Sequence, residues 1–169
     1  WLRTQPKIKA TSTFNKKILH ISGLMRLARE SWGYTKVPKL TLNIQKPKAS
    51  RKFTYTLEQE NALILHFKGS NAHLIADLIC YLADTGVRLS EALNLRPDDL
   101  RMESRIIDVW KSKGDEPRGI PMTDRIYDLL QRRQSFSDLK IHQVETAFSK
   151  ARKQLGLPES ATLHGFRHT

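Results

Sequence analysis

The net positive charge of the chain is confined to its first third, and this limits which part can fold as a globular domain. Residues 1–52 contain thirteen Lys and Arg against one acid, Glu30, whereas residues 53–169 contain sixteen basic and sixteen acidic residues. A chain of 169 residues, 39% of them apolar, is long enough for one full core and a fragment of another. Residues 53–169 are therefore the candidate globular part, and the basic part is a candidate for contact with a polyanion.

Two interpretations of the basic part remain open: it could follow the phosphates of DNA, or it could be a basic, partly unfolded tail. Residues 11–33 favour a helix with Thr13 as its cap and Gly33 at its end, because apolar residues recur at steps of three or four. The predicted apolar stripe comprises Phe14, Ile18, Ile21, Met25, Ala28 and Trp32. Residues 35–53 mix proline with lysine and predict an extended linker.

Basic side chains of this helix and linker are the candidates for DNA binding. A helix that is apolar on one side and basic on the other suits a DNA groove, although most such helices are simply solvated on their polar face. Linker lysines could lie along a phosphate backbone. The candidate residues are Lys16, Lys17, Arg26, Arg29, Lys46, Lys48, Arg51 and Lys52.

The balanced part predicts mainly helices with one small antiparallel sheet, an α+β fold. Helices are expected from Thr56, over 72–83 with Gly86 as the stop, briefly after Arg88, and over 123–133 and 140–155. Residues 105–109 and 118–121, joined by a polar turn, predict a β-hairpin. A further helix is expected to begin at Thr162.

Cysteine content and apolar run length indicate a cytoplasmic protein. A single cysteine, Cys80, excludes an internal disulfide framework and any multi-cysteine metal site. No apolar run approaches the length of a membrane helix, so no membrane partner is expected. The start at Trp1 has neither an initiator Met nor a signal peptide, and we interpret the chain as a piece of a longer protein.

Five polar residues, in three places, lie where predicted elements begin, end or turn. Arg88 follows a helix-ending glycine, Lys111 and Lys113 lie at the tip of the hairpin, and His164 and Arg167 share one side of a predicted helix start. Each has an ordinary explanation: Arg88 could pair with Glu91 at i+3, the lysines could be solvated, and the last pair could be surface contacts. Together they indicate metal-free chemistry on a phosphodiester, because guanidinium groups neutralise the transition state while an ammonium and an imidazole transfer protons.

Three segments carry a resemblance to a known family. The segment 85–91, TGVRLSE, resembles the first-arginine motif of the tyrosine recombinases, also called the phage integrase family. The segment 164–169, HGFRHT, resembles its second motif, His-x-x-Arg. Between them, WKSKG at 110–114 followed by RGIP at 118–121 resembles the β-hairpin that carries the family's catalytic lysine, and places that lysine at Lys113 in preference to Lys111.

This resemblance implies an activity and a role for each matching residue. Arg88 and Arg167 would hold the scissile phosphate, Lys113 would protonate the leaving 5′ oxygen, and His164 would assist proton transfer. Glu91 would support the arginine turn, and His168 would be structural. A tyrosine would attack the phosphate to give a 3′-phosphotyrosyl intermediate, with no metal or cofactor, in a homotetramer on synapsed double-stranded DNA; a monomer in solution is possible.

The same resemblance divides the chain into domains. Residues 1–34 would be the C-terminal part of a helical core-binding domain, 35–53 a basic linker, and 54–169 a catalytic domain truncated before its nucleophile. No tyrosine present matches the nucleophile position, so the fragment alone is expected to be inactive; those present are Tyr34, Tyr55, Tyr81 and Tyr127. Two rival interpretations remain, a type IB topoisomerase and a non-catalytic DNA-binding remnant of an integrase.

Overall fold

The computed structural model describes residues 11–38, 44, 53–110 and 117–168. The chain divides into two compact units, Trp1–Arg51 and Lys52–Thr169. The first contains helix α1, Thr11–Glu30. Thr13, the expected cap, lies inside this helix, so that assignment was wrong. The helix ends three residues before Gly33, the predicted end, which is in the left-handed region at φ 70°. Trp32 is outside the helix and 56% exposed, so its place in the predicted apolar stripe was wrong, while the other five stripe residues are half-buried.

The second unit begins with two helices, α2 (Leu57–Gly69) and α3 (His73–Thr85). Thr56 starts α2 with a reciprocal capping box: its hydroxyl accepts from the Gln59 N–H at 3.3 Å, and its own N–H donates to the Gln59 side chain at 3.1 Å. Helix α3 buries most of its length and stops at Gly86, whose φ of 59° is left-handed. It runs two residues beyond the predicted end, and in its last turn the Thr85 hydroxyl donates to the Tyr81 carbonyl.

A short helix and a small sheet follow. Helix α4 spans Leu89–Leu93, and a 3₁₀ helix spans Pro97–Asp99. Strands β1 (Leu100–Arg101), β2 (Ile106–Val109) and β3 (Arg118–Pro121) form an antiparallel sheet in the order β1-β2-β3. The register pairs Ile107 with Ile120 and Val109 with Arg118. The predicted hairpin is therefore present, and β1 is an additional two-residue strand.

Two helices and a final 3₁₀ helix complete the described chain. Helix α5 spans Asp124–Arg132, with the Thr123 hydroxyl accepting from the Ile126 N–H, and α6 spans Ile141–Gln154. The terminal 3₁₀ helix spans Leu163–His168. The helix expected to begin at Thr162 is therefore present, and it is a 3₁₀ helix. The Gly165 N–H bonds to the Thr162 carbonyl, three residues back, at 2.8 Å.

The core of the second unit is built from side chains of its helices, its sheet and one loop. Its largest fully buried side chains come from all four long helices, the sheet and the loop after α5; among them Tyr81 packs on Phe136 with ring centroids 5.2 Å apart. Helix α3 contacts α2, α4, α5 and the terminal 3₁₀ helix, so it is the central element. The predicted fold class, mainly α with a small antiparallel sheet, is confirmed.

Candidate active site

The turn between α3 and α4 places Arg88 at the start of a helix. Gly86 reverses the chain, Val87 is buried, and Arg88 occupies the N-cap of α4 in an extended conformation. The Arg88 side chain forms an ion pair with Glu91 at 2.8 Å and remains 36% exposed. The i+3 pair considered from the sequence is therefore present, and the Arg88 side chain is still partly exposed.

Glu91 is the common acceptor of this turn. One carboxylate oxygen accepts from the Arg88 guanidinium at 2.8 Å, and the other accepts from the Arg88 backbone N–H at 2.9 Å and from the Arg118 guanidinium at 2.7 Å. The Glu91 side chain is only 5% exposed. Burial acts to raise the pKa of Glu91, but the bonds from the Arg88 backbone and from the Arg118 and Arg88 side chains outweigh it and lower that pKa to about 2.

The terminal 3₁₀ helix packs against the ring of Tyr55. Tyr55 stacks on Phe166 with ring centroids 4.1 Å apart and planes inclined by 11°, and its hydroxyl donates to the Thr162 carbonyl at 3.0 Å. Gly165 lies against the same ring: a Cβ there would come within 2.8 Å of the Tyr55 ring and 3.1 Å of the Phe53 carbonyl oxygen. The segment that carries His164 and Arg167 is thus fixed from two sides.

Arg167 joins the two motifs. Its guanidinium donates to the Gly86 carbonyl at 3.2 Å, across 81 residues of sequence, so it lies at the turn that places Arg88. His164, one 3₁₀ turn before Arg167, is exposed and borders a cleft of about 330 Å³ together with Leu89, the residue after Arg88. The structure therefore brings Arg88, Glu91, His164 and Arg167 to one region.

Other predicted site residues lie partly or wholly outside the described residues. Lys111 and Lys113 are among these, although the two strands on either side of them are described. The same holds for the side chain of His168 and for the candidate DNA-binding residues of the linker: Lys46, Lys48, Arg51 and Lys52. Their predicted roles stay predictions.

The basic residues of α1 can be placed within their own unit. Lys16, Lys17 and Arg26 are exposed, as expected for side chains that lie off the apolar stripe. Arg29 is half-buried, and its guanidinium donates to the Pro38 carbonyl at 3.2 Å. It therefore links α1 to the segment that follows the helix.

Arg118 and Tyr55 support the candidate site, and the sequence did not indicate either of them. In the sequence, Arg118 is recognisable only as the first residue of the returning strand. A pattern within one strand cannot show that its side chain reaches Glu91, 27 residues earlier. Tyr55 lies 107 residues before Thr162. Neither contact leaves a signal in local spacing, because each joins residues that are far apart in the sequence.

Across the described ranges, no group of three or more His, Cys, Asp or Glu side chains could hold a metal ion. Among the helices of those same ranges, none is long and apolar enough to cross a bilayer.

Comparison with solved structures finds chains of the same fold. The Tn1549 transposon integrase, solved in complex with circular intermediate DNA, matches with a TM-score of 0.78 and 22% identity, over 99% of this chain and 67% of that one. The XerH site-specific recombinase bound to its difH substrate matches with a TM-score of 0.68 and 17% identity, over 99% of this chain and 55% of that one. XerA recombinase matches with a TM-score of 0.54 and 16% identity, over 99% of this chain and 69% of that one.

Comparison at the sequence level identifies the family. A search of curated proteins found no match. The model of the phage integrase family matches residues 54–169, more than half of the chain, and these residues include both arginine motifs. This match favours the main interpretation of the sequence over the topoisomerase alternative. The chain therefore belongs to the phage integrase family, the tyrosine recombinases that break and rejoin DNA at specific sites.

Proposed function

We propose that Arg88, His164 and Arg167 form the phosphate-binding part of the active site, and that Lys113 completes it from the β2–β3 hairpin. The observation that carries the proposal is the Arg167 to Gly86 hydrogen bond, which brings the second arginine motif to the turn of the first. Two guanidinium groups at one place can hold a phosphodiester and the additional negative charge of its transition state.

The proposed reaction exchanges one phosphoester bond for another. A tyrosine oxygen attacks the phosphorus, the bond to the 5′ oxygen breaks, and a 3′-phosphotyrosyl ester forms. The tyrosine proton leaves with the help of His164, and the departing 5′ oxygen takes a proton from Lys113. The ester conserves the bond, so the reverse attack by a 5′ hydroxyl rejoins the strand.

The buried tyrosines of this chain do not suit the role of nucleophile. Burial raises the pKa of Tyr55 and of Tyr81, and the Tyr55 hydroxyl is already bonded to the Thr162 carbonyl. Tyr34 and Tyr127, the other two tyrosines, do not match the family's nucleophile position either, so we propose that the nucleophile is a tyrosine outside these 169 residues, in the same polypeptide or in a neighbouring protomer.

The proposed substrate is double-stranded DNA, bound in part by the basic segment. Two of the similar structures, the Tn1549 integrase and XerH, were solved with DNA. Residues 1–52 carry all the net charge of the chain, and three basic residues of α1 are exposed. We further propose a homotetramer on two synapsed sites, acting in the bacterial cytosol or nucleoid for a phage or mobile element.

The direct test is covalent capture. The full-length product of the gene that encodes this chain is mixed with a suicide substrate, a duplex nicked next to the cleavage site so that the released 5′ end is lost. We expect a complex that survives denaturation and carries the 3′ end of the cut strand. A protein that binds its site tightly but never forms this complex would contradict the proposal and favour the non-catalytic remnant.

A further inference from the structure

The starting observation is that Glu91 is shared between two arginines from different elements. Arg88 begins α4, and Arg118 begins β3, where its backbone pairs with Val109 of β2. Their guanidinium groups lie 2.8 and 2.7 Å from the two oxygens of the same carboxylate. The Arg118 side chain is 32% exposed and the Glu91 side chain 5%, so the carboxylate is the buried centre of the cluster.

Charge balance shows what the second arginine contributes. Arg88 and Glu91 alone form a neutral pair, and a neutral pair offers little attraction to a phosphate. Arg118 makes the cluster of three groups positive by one charge. Removing Arg118 would leave Arg88 as the remaining cationic partner of Glu91 among these contacts. A buried carboxylate interacts strongly with a nearby cation, so Glu91 would then hold Arg88 more tightly.

The hydrogen-bond geometry also indicates that Arg118 affects Arg88 through Glu91. The oxygen that accepts from Arg118 also accepts the Arg88 backbone N–H at 2.9 Å. Arg118 therefore holds the carboxylate in the orientation that fixes the N-cap of α4. Without it, the carboxylate could rotate toward the Arg88 guanidinium and bind it with both oxygens, the arrangement that guanidinium and carboxylate groups favour.

We propose that Arg118 is a positioning residue that acts through Glu91 to keep the Arg88 guanidinium available to the scissile phosphate. The proposal rests on the proposed function, because it requires Arg88 to bind that phosphate. It also makes the base of the β2–β3 hairpin part of the support of the arginine turn.

The test compares the cleavage rate with the DNA affinity in the full-length protein. Arg118→Ala should slow single-turnover cleavage of a suicide substrate by about tenfold or more, with DNA affinity within about twofold of the unsubstituted protein. Arg118→Lys, which keeps the charge, should recover part of the rate. The matched control is Arg101→Ala, which removes an arginine of the same sheet whose carboxylate partner is Asp108 at 2.6 Å; its cleavage rate should not change.

A methylphosphonate at the cleavage position tests the mechanism. This linkage lacks the charged non-bridging oxygen, so cleavage depends less on a guanidinium beside it. The ratio of the Arg118→Ala rate to the unsubstituted rate should therefore be much closer to one on the methylphosphonate than on the phosphodiester. Equal ratios on both substrates would overturn the proposal, as would equal losses of rate and affinity.

Two outcomes separate this inference from the proposed function. If the unsubstituted protein forms no covalent complex, the proposed function itself fails. If it forms the complex and Arg118→Ala cleaves at the unsubstituted rate, the activity stands and only the role of Arg118 is wrong. Thermal unfolding of each variant shows that the protein compared is folded.

Discussion

At the scale of single residues, Gly165 has the least room for a side chain among the glycines that the structure describes. A Cβ would lie 2.8 Å from the Tyr55 ring and 3.1 Å from a backbone oxygen. The ring is held by its stack on Phe166 and cannot move away cheaply. We expect Gly165→Ala to lower the free energy of unfolding by about 1–3 kcal/mol, measured by urea denaturation.

A second glycine supplies the control for this prediction. Gly69, at the end of α2, has no atom within 4 Å of the position of an added Cβ. Gly69→Ala should leave the stability unchanged or raise it by up to about 1 kcal/mol, because alanine favours a helix. Equal losses in both variants would show that the Tyr55 contact is not what restricts position 165.

Glu91 should make stability depend on pH in the acid range. Its pKa in the folded protein is about 2, below the usual 4.5, so folding favours the charged form. The resulting stabilisation is complete above pH 4.5 and is lost as the pH falls toward 2. The shift corresponds to about 3 kcal/mol.

Urea denaturation at pH 6 and at pH 3 measures this effect. Glu91→Gln should be less stable than the unsubstituted protein at pH 6, and the difference should shrink at pH 3 because the unsubstituted protein has then lost part of its advantage. A difference that is the same at both pH values would mean that the charge of Glu91 does not stabilise the fold.

The residues of the candidate site were predictable to an uneven degree. Arg88, His164 and Arg167 stand in short motifs next to glycines, and these motifs indicate both the residue type and the turn. Arg118 and Tyr55 act through contacts 27 and 107 residues away in sequence, which no local pattern records.

At the scale of elements, Arg125 connects three helices. From the start of α5 it pairs with Glu60 of α2 at 2.8 Å and with Asp84 of α3, which also accepts the Thr123 hydroxyl at 2.5 Å. Glu60 is 7% exposed, so Arg125 is paired with a buried carboxylate. These bonds raise the pKa of Arg125 above its usual value despite burial, so it stays charged.

We expect Arg125→Met to cost about 2–3 kcal/mol of unfolding free energy, because it leaves a buried carboxylate without its cation. The control is Arg132→Met in the same helix, where the arginine is exposed and donates only to the Asp128 carbonyl; its cost should be below about 0.5 kcal/mol. Calorimetry of the two variants checks the difference, and similar melting temperatures would contradict the assigned role.

Elements were predictable where a cap residue or a glycine marks an end in the sequence. Helix α2 begins after Thr56 as expected, and the bounds of α3 and α5 agree with the prediction within two residues. Strand β1 has two residues and no alternation, so no periodicity could reveal it. The terminal 3₁₀ helix packs against Tyr55, a contact across more than 100 residues that a local pattern does not record.

At the scale of the whole molecule, the uneven charge distribution should govern DNA affinity. If residues 1–52 bind phosphates, each contact releases counterions and the affinity falls steeply with salt. Neutralising Lys16 and Lys17 to Gln should lower the affinity and flatten the slope of log K against log salt by about 1–2.

A control of equal charge makes this prediction specific. Lys150 and Lys153 of α6 are also exposed but lie in the part of the chain with balanced charge. Their change to Gln should affect affinity and slope much less, as measured by fluorescence anisotropy at several salt concentrations. Equal effects of the two double variants would show that α1 makes no privileged contact with DNA.

The most direct measurement is the ratio of cleavage to binding for Arg88→Ala and Arg167→Ala in the full-length protein on a suicide substrate. Both guanidinium groups are proposed to stabilise charge that develops during the reaction, so each variant should lose about 100-fold or more in cleavage rate. The DNA dissociation constant should change by less than about threefold. Parallel losses of rate and affinity would mean that these arginines only hold the DNA backbone, and would contradict the assignment of an active site to this turn.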